Sequence, residues 1–345
     1  MSTTVENMAA HAAHTADFTP RRFFTNGHLQ TILGNFLSRT NMLPPAEPTM
    51  VEVSPAIDGQ ISSQIRCDCH WHPTEVRAAR PTAIIVHGLE GSSESQYVIG
   101  NANKLWQIGA NVVRMNMRNC GGTEALTSTL YHSGLSGDVA AVMRHFTALY
   151  GLKSISLIGY SMGGNLVLKL AGELGMSAPP ELRSVIGVSP AIDLGPSVDA
   201  LHAPQNRAYE LKFVYHLLQR YRRKCALFPR AFDPDRASGI RSIREFDDRI
   251  TAFYSGFTGA EDYYHRAASA RVLDKIAVRT LILNAVDDPF IRITTESRSL
   301  IAANRNITFN ETTHGGHCAF LAPACDGYDG YWAEHTLLRF LLSHS

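Results

Sequence analysis

The six residues Gly159-Tyr160-Ser161-Met162-Gly163-Gly164 constrain this chain more than any other stretch. They separate an apolar run, Ser154 to Ile158, from a segment of helical character, Asn165 to Ala171. A serine between glycines at a strand-to-helix corner has to adopt a strained backbone, and its neighbours have to be small enough for strand and helix to meet. The outcome is a hydroxyl pushed out of the fold beside the first amide of a helix. Gly and Ser are common, so the five-residue pattern alone carries little information. The strand before it and the helix after it make it specific. Such a serine needs a base, an acid to orient the base, and further amide donors.

From residue 82 onward, short apolar runs alternate with amphipathic stretches, which predicts a mostly parallel sheet flanked by crossover helices, an α/β fold. Strands are expected over 82–86, 111–117, 154–158, 184–188, 280–285 and 306–311. Helices are expected over 98–108, 135–149, from the serine turn to about Leu174, and over 331–342. In the second of these, Val139, Val142, Met143 and Phe146 recur on one helical face. The stretch 191–278 interrupts the alternation and is too long for a plain connection. It reads as a helical cap inserted above the C-terminal edge of the sheet, leaving 21–190 and 279–345 as the core. Leu211, Val214, Leu217, Leu218 and Tyr221 form its expected inward stripe. Arg220, Arg222, Arg223 and Lys224 gather near the end of the same helix, where the helix dipole and solvent both favour cations.

The N-terminal part is less regular. Residues 1–20 read as a loose arm, and Asn26 to Phe36 as a short helix stopped by Pro44, Pro45 and Pro48. Two antiparallel strands, 50–54 and 63–72, are expected on either side of Asp58-Gly59. The second contains Cys67-Asp68-Cys69-His70-Trp71-His72, which has the residue types of a metal site. Strand alternation, however, places Cys67 and Cys69 on one face and His70 and His72 on the other. Four ligands so divided cannot close round one ion, and strand packing is the better reading.

Composition removes several classes of function. With 45% apolar and 18% charged residues the chain is globular, and a net charge of +1 gives no reason to expect a nucleic-acid partner. No apolar run approaches the roughly 18 residues of a membrane-spanning helix. No Lys or Arg precedes Arg21, so a secretory signal is not recognisable. The six cysteines, at 67, 69, 120, 225, 318 and 325, do not form a disulfide framework. A cytoplasmic setting is the expectation.

The partners of Ser161 are expected where later strands end. The run 280–285 leads into Val286-Asp287-Asp288-Pro289, and the last strand leads into Thr313-His314-Gly315-Gly316-His317-Cys318. Acid and base thus follow the serine in chain order, each on a loop at a C-terminal strand end, where ligands bind in open α/β sheets. Asp288 directly precedes the proline and is the preferred acid, with Asp287 holding the loop. Any one of fifteen histidines is ordinarily a packed or surface residue. His317 is preferred for its loop, where Gly315 and Gly316 supply a tight turn and Phe320 is expected to open a helix; His314 is left a supporting role. The amides of Leu89 and Met162 are the expected oxyanion donors, with Gly88 letting the chain turn Leu89 inward.

These blocks resemble the AB-hydrolase 4 (YheT-type) family of the α/β hydrolases. The resemblance runs from about residue 22 to the end, through Asn26-Gly27-His28-Leu29-Gln30-Thr31, His87-Gly88-Leu89-Glu90-Gly91-Ser92 and Tyr131-His132-Ser133-Gly134. It continues through Gly159–Asn165, Phe246-Asp247-Asp248, Asp262-Tyr263-Tyr264, Asn284–Phe290 and His314–His317. It implies an α/β-hydrolase fold, a triad of Ser161, Asp288 and His317, and hydrolysis of acyl esters, short- to medium-chain or lipid. Animal members carry a membrane anchor that has no counterpart here, so peripheral lipid contact is the most that carries over. Tyr131–Gly134 and Asp247-Asp248 are read as loop anchors. The chemistry needs no metal or organic cofactor. Transfer of the acyl group to another acceptor, and lipid binding without catalysis, stay open at this point. Oligomeric state is not readable.

Overall fold

A computed structural model of the chain describes residues 18–56 and 61–343. The turn expected at Asp58-Gly59 and most of the expected N-terminal arm lie outside the described residues. Helix α1 (Gly27–Phe36) comes first in the chain order of the described elements, with the Asn26 side chain capping the Leu29 amide at 3.1 Å. Strands β1 (Glu47–Ser54) and β2 (Ser63–His70) form an antiparallel pair, and β2 also runs antiparallel to the strand Asn111–Met115. Cys67 and Cys69 point together into the hydrophobic core, whereas His70 sits against Arg114 and His72 stacks on Trp106. The strand-packing reading of this stretch is the observed one.

Strands β3 (Thr82–Val86), β4 (Asn111–Met115), β5 (Ile155–Tyr160), β6 (Leu182–Val188), β7 (Thr280–Ala285) and β8 (Ile307–Thr312) are parallel to one another. The eight-stranded order is β1-β2-β4-β3-β5-β6-β7-β8. The helices between them are α2 (Gln96–Gln107), α3 (Ser136–Tyr150) and α4 (Met162–Leu174). The chain steps from β3 outward to β4 and then returns to lay β5 on the other side of β3. The loops after β3 and β5 therefore diverge at the same point on the edge, which opens a crevice there.

Both faces of the central strands β3, β5 and β7 are covered, so these strands are mainly apolar rather than alternating. Ile84, Val86, Ile155 and Leu157 pack on α3 and α4, while Ala83, Ile85, Ile158 and Tyr160 pack on the face that carries α2 and the closing helix.

Between β6 and β7 the chain is helical, as expected. It forms α5 (Leu194–His202), α6 (Arg207–Leu227), a π-helical turn over Asp247–Ala252 and α7 (Ala260–Ala267). Helices α8 (Thr295–Ala303) and α9 (Trp332–Leu342) complete the chain. Two expectations about this part are corrected. The inward face of α6 is Glu210, Val214, Leu217, Arg220, Tyr221 and Lys224, and Leu211 is half exposed. The cationic cluster also divides. Arg222 and Arg223 face solvent, but Arg220 and Lys224 are buried, because carboxylates and carbonyls on the core loops receive them.

Candidate active site

The backbone at Ser161 is left-handed, with φ 54° and ψ −117°, a conformation that costs an L-residue energy. The surrounding packing enforces it. A Cβ on Gly163 would lie 2.4 Å from the carbonyl oxygens of Val86 and His87, and one on Gly159 would lie 2.2 Å from that of Gly163. Only glycine lets β3, β5 and α4 approach so closely. The Ser161 amide is held by the Val188 carbonyl at 2.9 Å, which ties the corner to the neighbouring strand.

The three residues chosen from the sequence come together. Ser161 Oγ lies 2.9 Å from His317 Nε2, and His317 Nδ1 lies 2.8 Å from Asp288 Oδ2. Asp288 is fully covered, and its Oδ1 accepts from the amides of Phe290 and Ile291 at 3.0 and 2.9 Å. An ionised carboxylate only accepts, so the imidazole proton belongs on Nδ1 and Nε2 is left to accept from the serine. Burial disfavours a charged ring at His317. Neighbouring Cys318 and the Asp288 carboxylate outweigh that and raise its proton affinity above the ordinary histidine value. The ring of Phe290, 4.3 Å from that of His317, shields one side of it.

The loop of His317 is held from several directions. Gly315 and Gly316 take φ 149° and 57°. Asp287 Oδ1 accepts the Gly316 amide at 2.8 Å, the loop-holding role expected of it, and His314 lies 3.4 Å from the same carboxylate. Phe320 opens no helix. It is itself left-handed, with φ 43°, and the next helix waits until Trp332 because Leu321 first pairs with Tyr331.

The sequence reading gave no structural role to helix α1, which supports this loop. Thr31 Oγ1 accepts the His317 amide at 2.8 Å. The buried Gln30 side chain both accepts from Leu321 N (2.8 Å) and donates to Leu321 O (3.2 Å). Adjacent Gln30 and Thr31 are buried polar residues on this short helix, but no residue in it identifies the loop they hold.

The amides of Leu89 and Met162 have no acceptor among the described residues, and both residues line the same pocket as Ser161. Met162 is the first residue of α4, where amides have no intrahelical partner. For Leu89, the adjoining Gly88 carbonyl accepts from His87 Nδ1 at 2.8 Å and from Gly91 N at 3.1 Å. His87 Nε2 accepts the Met117 amide at 3.1 Å, which fixes the other proton on Nδ1. Burial keeps this ring neutral, with its pKa lowered to about 4. Because a trans peptide sets N–H opposite C=O, anchoring the Gly88 carbonyl turns the Leu89 N–H the other way.

Above the serine lies a pocket of about 980 Å³, including its open part. Its wall is mainly apolar and is supplied largely by the insert, with Leu194, Val198 and Leu201 from α5, Phe213 and Leu217 from α6, and Phe290 from the core. Its polar lining includes His132, Ser133, Ser197, Arg220 and a group centred on Asp247. The Asp247 carboxylate accepts from Thr251 Oγ1 at 2.8 Å and from Tyr264 Oη at 2.9 Å, and burial raises its pKa to about 6. Asp248 caps α7 through the Ala260 amide at 3.1 Å, an anchor as expected, whereas Asp247 belongs to the pocket wall.

A protein-family model described as the alpha/beta hydrolase fold matches residues 81–323. YheT of Escherichia coli (strain K12) is 31% identical over 311 residues, covering 89% of this chain and 87% of its own length. Phospholipase ABHD3 of Mus musculus is 30% identical over 302 residues, covering 85% and 70%. Among solved structures, the esterase Pf2001 of Pyrococcus furiosus superposes with a TM-score of 0.56 at 13% identity, covering 86% of this chain and 91% of its own. The chain belongs to the α/β-hydrolase fold family. Within that family its relatives place it in the YheT-type branch.

Proposed function

We propose that the protein is a serine hydrolase of carboxylic esters, acting through Ser161, His317 and Asp288 by way of an acyl-enzyme. The reading is carried by one observation, the hydrogen-bonded row Asp288–His317–Ser161 opening onto a mainly apolar pocket. His317 Nε2 takes the Ser161 proton as Oγ attacks the ester carbonyl, and Asp288 steadies the imidazolium that forms. The amides of Leu89 and Met162 hold the tetrahedral oxyanion. His317 then protonates the leaving alcohol, and the same ring draws a proton from water to release the acid.

The apolar wall fits a short- to medium-chain acyl group or a lipid chain, with residues 191–278 acting as the cap that shapes the site. Esterase and lipase names among the relatives agree with this class of chemistry. The test is covalent labelling with an alkyl fluorophosphonate. The wild type is expected to be labelled and to hydrolyse p-nitrophenyl esters, and folded Ser161→Ala to do neither. Labelling or turnover retained in Ser161→Ala would overturn the assignment. Ester products formed in the presence of a competing alcohol would move the reaction from hydrolysis to acyl transfer.

A further inference from the structure

Helix α6 reaches the core loops through two buried side chains, Lys224 and Arg220, and Arg220 is the one that meets the loop carrying Leu89. Arg220 makes a two-pronged bridge to Glu90, with Nε–Oε1 and Nη2–Oε2 both at 3.0 Å. Its Nη1 donates to the Asn119 carbonyl. Tyr131 Oη donates to the same Glu90 Oε1 at 2.5 Å. Arg220 Nη1 also lies 3.5 Å from Glu124 Oε1, and two of the three residues that the guanidinium meets are conformationally unusual. Glu90 has φ 58° and Asn119 has φ 63°, in the left-handed region that residues other than glycine rarely occupy. Strained residues of this kind persist only where their surroundings hold them.

The position of Glu90 makes its strain consequential. Gly88-Leu89-Glu90-Gly91 is a four-residue turn closed by the Gly91 N–H to Gly88 carbonyl bond. A turn with positive φ at its third residue ordinarily has glycine there. Here that residue is Glu90, and the bridge to Arg220 takes over what glycine would do unaided. If Glu90 relaxed to negative φ, Gly91 N would leave the Gly88 carbonyl, and the peptide carrying the Leu89 N–H would lose one of its two anchors.

We infer that Arg220, with Tyr131, is a positioning residue for the oxyanion hole: by pinning Glu90 left-handed it aims the Leu89 amide, so that transition-state stabilisation depends on the docking of helix α6. The inference rests on the assignment of Leu89 as an oxyanion donor. It means that a movement of the insert that lengthens the Arg220–Glu90 bridge disables the hole as well as reshaping the pocket. A bridge that merely joined insert to core would lower stability when broken and leave the chemistry of the folded fraction unchanged.

The experiment compares kcat and KM on a p-nitrophenyl ester with the affinity for an alkyl trifluoromethyl ketone, whose serine adduct carries the oxyanion. Glu90→Ala and Arg220→Met are expected to lower kcat about tenfold or more, with KM within about twofold, and to weaken the ketone by the same factor as kcat. Tyr131→Phe removes one bond to Glu90 and is expected to give a parallel loss of about two- to threefold. The decisive variant is the double Glu90→Gly/Arg220→Met. Glycine accepts positive φ without help, so the double variant is expected to recover most of the kcat and ketone affinity lost in Arg220→Met.

The inference is overturned if Glu90→Ala and Tyr131→Phe leave ketone affinity unchanged, or if the double variant is as impaired as Arg220→Met. Circular dichroism confirms the fold of each variant. Should Arg220→Met not fold, the comparison of Glu90→Ala with Glu90→Gly decides, glycine being the more active if the inference holds. An inactive Ser161→Ala beside an unaffected Glu90→Ala would refute the positioning role alone, whereas an active Ser161→Ala would refute the hydrolase reading beneath it.

Discussion

The edge of the sheet and the helical insert build the same site by opposite means. At the edge, positions are set by backbone: glycines that leave no room for a Cβ, amides that clamp Asp288, and turns that aim His317. In the insert, positions are set by side-chain packing and by ionic contacts to distant loops, as where Lys224 donates to the carbonyls of Glu124 and Thr127. The edge tolerates almost no change and, on the proposed mechanism, performs the same step for any ester that reaches it. The insert can vary its side chains, and with them the acyl group accommodated. Rigid chemistry and adjustable selectivity are thus assigned to separate stretches of one chain.

If that division holds, changes at the edge strike rate or folding, and changes in the insert strike preference. Asp288→Asn should give the largest effect, a fall in kcat of about 10⁴-fold, because the imidazole loses the partner that fixes its tautomer. Its pH dependence sharpens the point. The base works when neutral, and Cys318 and Asp288 raise its proton affinity, so the acidic limb of kcat/KM should lie above the ordinary histidine value of about 6.5. In Asp288→Asn that limb should move to lower pH, which fluorophosphonate labelling rates can follow. A limb that stayed put would show that Asp288 does not set the ring's charge.

Gly163→Ala comes next and acts on folding. Its methyl would lie 2.4 Å from two carbonyl oxygens of backbone, and a loss of about 3 kcal/mol is expected by denaturant titration. A loss under about 1 kcal/mol would mean that the corner is less crowded than the comparison requires. In the insert, Leu217→Trp should leave p-nitrophenyl acetate turnover within about twofold and reduce that of longer acyl esters about 10-fold or more, read as a chain-length series. Equal losses on all chain lengths would blur the division.

Asp247→Asn acts on neither rate nor preference but on how stability depends on pH. The wild-type carboxyl has a pKa of about 6 when folded, above its unfolded value of 3.8, so it binds more protons folded than unfolded between these values. Its contribution is therefore fully present below about pH 4 and is lost as pH rises to about 6, by up to about 3 kcal/mol. The asparagine variant lacks this term. The stability difference between pH 4 and pH 7 should shrink by that amount, as unfolding titrations at the two pH values would reveal.

The same division explains what could be read from residues alone. The strands 82–86, 280–285 and their loops were legible because each is a short apolar run ending in Gly, Asp or His, and a parallel sheet admits few arrangements of such runs. The serine corner was legible because its glycines answer to local sterics. Helix α6 was only partly legible: Val214, Leu217 and Tyr221 are buried as expected, but its buried face also holds Glu210, Arg220 and Lys224, whose partners lie on other elements as much as 130 residues away in the chain. Periodicity sees apolar residues and assigns charge to solvent. The support that α1 gives to His317 was invisible for a similar reason. It depends on a contact across 286 positions of sequence, and nothing in either segment announces the other.

That long-range contact also bears on how activity arises during synthesis. Thr31 and Gln30 leave the ribosome first among the groups that hold the His317 loop, and must wait for almost the whole chain before His317 and Leu321 are made. Ser161 and its corner can be packed in a growing sheet well before then. On the proposed mechanism, a nascent chain would hold its nucleophile with no base beside it until the His317 loop settles on helix α1.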